Sequence, residues 1–266
     1  MKILKKILIL SLSILIINSY SYNTILGHEV YINEKIKSMP LKYNNEGVCI
    51  LMYHSIGFEK NNRLRIPQQQ FKDQMKYIKD NGYTTVTLQD LYNFFVENKP
   101  IPKKSVAITF DDGYLDNYEY AYPVLKEFNL KATIFVTTNT IDRNNAYITS
   151  NQLKELQNNG IDIESHTVNH EELSKISYEK QLKTLKESKE TLERILNKKV
   201  NYIAYPCGKY NEDTITAMKN AGYIMGFTTG GKIARKNDGI CTLHRIGVVS
   251  IDGIDVLEGR LKSQME

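Results

Sequence analysis

Lys104-Ser-Val-Ala-Ile-Thr-Phe-Asp-Asp-Gly113 is an apolar run that stops abruptly at two acids. Val106, Ala107, Ile108 and Phe110 have the composition of a short buried strand. Neighbouring residues in extended chain point to opposite sides, so Asp111 and Asp112 cannot both serve a core. Adjacent like charges also repel when buried. Gly113 permits a sharp turn just beyond them. The run therefore presents two carboxylates at the C-terminal end of a strand, where βα enzymes keep their active sites.

Working outward, strands and helices alternate on both sides. Upstream, Val48 to Tyr53 reads as a buried strand ending at His54. Pro67 to Asn81, with Phe71, Met75 and Ile78 apolar, has the spacing of an amphipathic helix. Tyr83 to Thr87 is β-rich, and Leu88 to Asn98 is helical by pattern. Downstream, Asn117 to Phe128 is read as a helix and Lys131 to Val136 as a strand. Thr149 opens another helix with Gln152 as its capping-box partner, and Asn159-Gly160 closes it. Ile161 to Glu164 is a strand, and Tyr178 to Leu196 the longest helix. Val200 to Tyr205, Tyr223 to Thr228 and Leu243 to Val249 are strands, with a helix from Asn211 to Ala221 among them. This alternation argues for an α/β fold of parallel strands wrapped by helices, as a barrel or an open sheet.

The 266 residues are 41% hydrophobic, enough for one large core. The formal charge of +5 is concentrated at the start, in Lys2, Lys5 and Lys6. No basic stripe remains to bind nucleic acid. The chain has no GxGxxG after a strand and no GxxxxGK[ST], so nucleotide binding has no support. Three cysteines, Cys49, Cys207 and Cys241, leave at least one unpaired and are wrongly spaced for a thiolate zinc site. Ile7 to Ile17 follows the basic start as an apolar stretch, and Ser19-Tyr-Ser21 offers small residues for cleavage. Residues 1–21 are thus expected to be a signal peptide or an uncleaved anchor tying the chain to a membrane. Residues 22–46 read as a linker and 47–266 as the working domain, secreted or on the extracytoplasmic cell surface.

A second stretch, Ser165-His-Thr-Val-Asn-His170, changes the weight of the first. On a helical turn His166 and His170 would share a face, with both imidazoles aimed at one spot. Neutral imidazole is a good ligand for zinc and its neighbours. Two histidines and one carboxylate leave coordination positions for water and substrate. The carboxylate would be Asp111 or Asp112.

With both stretches in hand, the chain resembles the polysaccharide deacetylases, the NodB-homology enzymes of carbohydrate esterase family 4. Thr109-Phe-Asp-Asp-Gly113 matches the first motif, Ser165 to His170 the second, and Ala204-Tyr-Pro-Cys-Gly208 resembles the third. The resemblance implies a distorted (β/α) barrel with fewer than eight parallel strands. It implies Asp111 as catalytic base and Asp112, His166 and His170 as ligands of a divalent metal, usually zinc. It also implies that the backbone N–H matching Cys207 holds the oxyanion. The reaction would strip acetyl groups from N-acetylglucosamine units of an N-acetylated glycan polymer, an exopolysaccharide or peptidoglycan. The alternative is an inactive glycan-binding protein of the envelope on the same fold.

The match departs from the family pattern in three places. Ala204 stands where the third motif has an arginine. The Asp-Trp pair is missing, since the chain has no Trp. A pattern like the fifth motif, normally near the C-terminus, occurs early as Ile50-Leu-Met-Tyr-His54. His54 is accordingly the expected general acid, with His244 as its rival. Arg245, on the opposite face of a strand from His244, would replace the missing arginine and hold Asp111 ionised. Tyr205, Tyr210 and Tyr114 lie near the motifs as sugar-contacting walls.

Overall fold

The computed structural model describes residues 39–265. The alternation read from the sequence becomes a curled parallel sheet. Its strands are β1 (Cys49–Tyr53), β2 (Thr84–Thr85), β3 (Ser105–Phe110), β4 (Ala132–Val136), β5 (Ile161–Ser165), β6 (Tyr202–Ala204), β7 (Met225–Phe227) and β8 (Ile246–Gly247). Seven of them run in the order β7-β6-β5-β4-β3-β1-β8, and the two-residue β2 pairs with β3 off that path. Each pairing in this sheet is parallel. Parallel neighbours need long crossovers, which the helices supply. These are α1 (Gln68–Asp80), α2 (Leu88–Glu97), α3 (Tyr122–Phe128), α4 (Ser150–Asn158), α5 (Tyr178–Leu196), α6 (Glu212–Asn220) and α7 (Ile254–Lys262). A parallel bridge from Phe227 to Leu243 joins β7 to the approach to β8. The result is the expected distorted barrel with seven strands on its path.

The period of two along each strand sorts the core into layers. On β1 and β3, Cys49, Leu51, Tyr53, Val106, Ile108 and Phe110 pack outward under the helices. Ile50 and Ala107 face the other way, with Phe135, Ala204, Phe227 and Leu243. α2 joins this second layer through Leu88, Leu91, Phe94 and Phe95. Capping follows the sequence. Thr149 and Gln152 exchange the two bonds of a capping box at the start of α4, and Thr87 with Asp90 do so for α2. β5 and β6 share only the Ile203–Ser165 register pair. Glu164 fills the gap by accepting from the Asn201 and Tyr202 amides at 2.8 and 2.7 Å.

Four details differ from the sequence reading. Residues 117–121 wind as a wider π turn before α3, and Asn117 Nδ2 donates to the His54 carbonyl at 2.7 Å. The last strand is only Ile246–Gly247. Just before it, the Arg245 carbonyl accepts from Gly231 N–H at 2.9 Å, a loop bond in place of a ladder bond. The C-terminal helix α7 was not anticipated. The body also reaches back to Lys42, whose buried ammonium donates to Gly47 O and to Gln264 Oε1. The signal or anchor reading falls on residues 1–21, outside the described residues. Among the described residues no helix is long and apolar enough to cross a membrane.

Candidate active site

The two adjacent acids separate because the chain turns between them. Asp111 N–H still donates to Tyr53 O at 3.0 Å, so Asp111 continues the ladder. Asp112 then adopts φ +74 and Gly113 φ +78. Asp visits the left-handed region at some cost, and glycine at almost none. A Cβ on Gly113 would also stand 3.2 Å from Val136 Cγ1.

Asp111 is 2% exposed and meets Arg245, which is wholly buried. The guanidinium grips the carboxylate with two bonds, Nη1 to Oδ1 at 2.6 Å and Nη2 to Oδ2 at 2.7 Å. Nη1 also reaches Thr109 Oγ1 at 3.2 Å, and the guanidinium lies over the Phe135 ring. Burial by itself pushes the Asp111 carboxyl up. Arg245 outweighs it, holding the group well below the usual carboxylate range. The pairing of Arg245 with Asp111 is the one the sequence reading expected.

Asp112, His166 and His170 converge: one ligand atom from each lies within 4.8 Å of the others. Both imidazole Nε2 atoms stand 3.5 Å from Asp112 Oδ1. That is too long for a good hydrogen bond. Two ligands bonded at 2.0–2.1 Å to a tetrahedral ion would sit about 3.3 Å apart. Asp112 Oδ1 is buried without a hydrogen-bond partner, which a cation between the three side chains would relieve. His166 Nδ1 lies 2.8 Å from Ala204 O. With the proton on Nδ1, Nε2 is left bare toward Asp112, the usual support for a metal-ligating histidine. Burial, the largest influence, depresses the His166 imidazole and so favours its neutral, ligating form. The donor set therefore fits a divalent cation. The sequence argument for this convergence needs correction. Residues 167–169 form a turn, not a helix. Thr167 and His170 take φ +66 and +58, and this left-handed turn brings the rings together at 5.0 Å.

The remaining expected residues are distributed unevenly. His54 follows β1, half-buried, with Nδ1 lacking a partner. Cys207 has φ +55 in the turn Pro206–Gly208. Burial first, and then the charges of Glu172 and Asp112, push its thiol up. Gly208 is required beside it, since a Cβ there would meet Thr229 Oγ1 at 2.2 Å. Tyr205 is a correction: its side chain is fully buried, and its hydroxyl donates to Cys241 O at 2.8 Å. It belongs to the core and cannot wall a sugar site. Tyr210 is exposed. His244 packs on Gly230 with Nε2 3.8 Å from Asp238, whereas Arg245 runs inward.

Two clefts meet at Tyr114. The first, about 380 Å³, is lined by the candidate ligands Asp112 and His170 together with Tyr114, Thr137, Asn139, Thr140, Tyr147 and Asn169. The second, about 430 Å³, includes His54, Arg65, Asp116 and Tyr114. The Tyr114 and Tyr147 rings stack 5.3 Å apart. Thr137, Asn139, Tyr147 and Asn169 were missed from sequence. Thr137, directly after β4, carried the same strand-end signal as Asp111, and Asn169 sits inside the stretch that bears the two histidines; Asn139, in the short turn Thr138–Thr140, and Tyr147 carried none.

Comparisons with known proteins show what the chain is similar to. The family model for polysaccharide deacetylase matches residues 98–226. YxkH of Bacillus subtilis (strain 168), assigned to the polysaccharide deacetylases, is 42% identical over 199 residues, 75% of this chain and 70% of that protein. The poly-beta-1,6-N-acetyl-D-glucosamine N-deacetylase of Staphylococcus aureus (strain N315) is 30% identical, with 95% of each chain covered. The solved Streptococcus pyogenes deacetylase PplD, in complex with acetate, superposes with a TM-score of 0.78. It is 33% identical over 81% of this chain and 98% of its own.

Proposed function

We propose that this chain, which belongs to the polysaccharide deacetylase family, is a metal-dependent N-deacetylase acting on N-acetylglucosamine units of an extracellular glycan. A poly-N-acetylglucosamine exopolysaccharide or peptidoglycan is the substrate. The observation that carries the reading is the buried, unpartnered Asp112 Oδ1 with an imidazole Nε2 of His166 and of His170 each 3.5 Å away. The name of the Staphylococcus aureus relative supports the substrate class.

Asp112, His166 and His170 hold the cation, zinc in this reading. Bound there, it supplies a Lewis acid and a water acidified to near neutral pH. An amide resists water, so proton transfers must be arranged by fixed groups. Asp111, kept ionised by Arg245, accepts the proton of the attacking water at a carboxylate oxygen. His54 donates to the nitrogen of the departing amine. The Cys207 N–H donates to the oxygen of the tetrahedral adduct. Acetate and a glucosamine unit leave. The protein works outside the cytoplasm, exported by its N-terminal segment or held by it at a membrane.

The test is acetate release from N-acetylglucosamine oligomers and peptidoglycan, with and without chelator. Release that stops on chelation and in Asp111→Asn is expected. Glycan binding with no acetate from the metal-loaded wild type would instead favour an inactive binding protein on this fold.

A further inference from the structure

Thr137 lines the first cleft beside Asp112 and His170. It is 5% exposed, yet its Oγ1 has no hydrogen-bond partner. A buried hydroxyl left unpaired destabilises a fold, and valine would fill the same space without that cost. The neighbouring polar side chains are occupied. Thr140 Oγ1 donates to Thr137 O at 2.7 Å. Asn139 Nδ2 donates to Asn169 Oδ1 at 2.8 Å, and Asn169 Nδ2 to Glu171 Oε1 at 3.1 Å. Among the threonine and asparagine side chains lining this cleft, the free hydroxyl is that of Thr137.

Its position is fixed. Flanking backbone bonds, His166 N–H to Val136 O at 2.9 Å and Thr138 N–H to Thr167 O at 3.1 Å, tie it to the turn that carries the histidines. The stacked rings of Tyr114 and Tyr147 line the same cleft. Apart from Asp112, His170 and the two phenols, the lining has no ionisable side chain. Flat aromatic surface with neutral polar groups suits an uncharged sugar, which has an apolar face and a rim of hydroxyls.

We propose that Thr137 is a substrate-contacting residue whose Oγ1 exchanges a hydrogen bond with a hydroxyl of the uncharged saccharide unit seated in the first cleft. The assignment rests on the deacetylase reading above. A ligand hydroxyl can both donate and accept, as Oγ1 can, and the contact would pair an otherwise orphaned group. Losing one such bond weakens binding by several-fold to about tenfold.

The test compares wild type, Thr137→Val and Thr137→Ser for acetate release from N-acetylglucosamine oligomers, and for melting after chelation. Thr137→Val is expected to melt at or above the wild-type temperature. Its KM should rise about tenfold with kcat little changed, and Thr137→Ser should restore KM. An unchanged KM in Thr137→Val overturns the assignment. So does a loss confined to kcat, which would put the hydroxyl on the reacting atoms. Lower melting in Thr137→Val, restored by Ser, overturns it too, because the hydroxyl would then have an internal partner. A wild type that releases no acetate removes the parent reading and this one together; an active wild type with an indifferent Thr137→Val removes this one alone.

Discussion

Replacing Arg245 with methionine isolates what keeps Asp111 charged. Both side chains are withdrawn from water and share bonds of 2.6 and 2.7 Å. Deleting one member of a buried pair strands the other, at a cost of about 3–5 kcal/mol. Against a total stability of roughly 5–15 kcal/mol, melting should fall by about 10 °C or more. Asp111 can limit the damage by taking a proton, since burial acts upward on it and Arg245 is the largest opposing influence. The sign of the pH dependence then inverts. In the wild type the folded carboxyl is depressed, so its contribution to stability is complete above the ordinary aspartate range and is lost as pH falls through the folded pKa. In Arg245→Met the folded carboxyl is raised, and stability declines as pH climbs from that range toward the new folded pKa. The assay is melting and acetate release across the acid and neutral range. Arg245→Met should melt lower with rising pH, and the acid limb of kcat/KM should move to higher pH. Adding Asp111→Asn to Arg245→Met should recover part of the lost melting temperature, because neither charge remains. A variant with wild-type melting and a wild-type acid limb would refute the reasoning, as would a double variant no more stable than Arg245→Met.

Zinc added to chelated wild type should raise its stability, by about 2.7 kcal/mol when free metal is a hundredfold above Kd. Asp112→Asn should lose that gain, and an equal gain in the variant would sink the ligand assignment. Tyr205→Phe should cost about 1 kcal/mol through the unpaired Cys241 carbonyl while leaving kcat/KM within about twofold. A large loss of kcat/KM at unchanged melting would return the ring to the substrate. Burial depresses the Lys42 ammonium to about 8 from 10.5. Between those values the unfolded chain keeps a proton the folded one has shed, so stability rises with pH, by about 3 kcal/mol in all. Lys42→Met should lack that rise relative to wild type, and parallel pH curves for the two would show the assignment to be wrong.

Elements with strong periodicity or a cap could be read from the chain itself. Tyr178–Leu196 is a helix to the residue, and the Thr149–Gln152 box forms as expected. The pair Asp111 and Asp112 announced itself because two charges ended an apolar run. What failed was orientation in short pieces. β6 has three residues, too few for alternation to show that Tyr205, just past its end, points into the core. The spacing of His166 and His170 suits a helical turn as well as the left-handed turn that occurs. α7 was hidden by Gly259 in its interior. The grip of Arg245 on Asp111 spans most of the domain, and only the missing arginine beside Ala204 hinted at it.

The bond from Lys42 to Gln264 brings the two extremities of the body into contact. β1 and β8 are adjacent in the sheet as well. Joining those extremities with a few flexible residues and opening the chain at a surface loop would alter the reading order but none of the neighbourhoods. A chain permuted in that way should assemble the same cleft, with His54 reached late along the polypeptide instead of early.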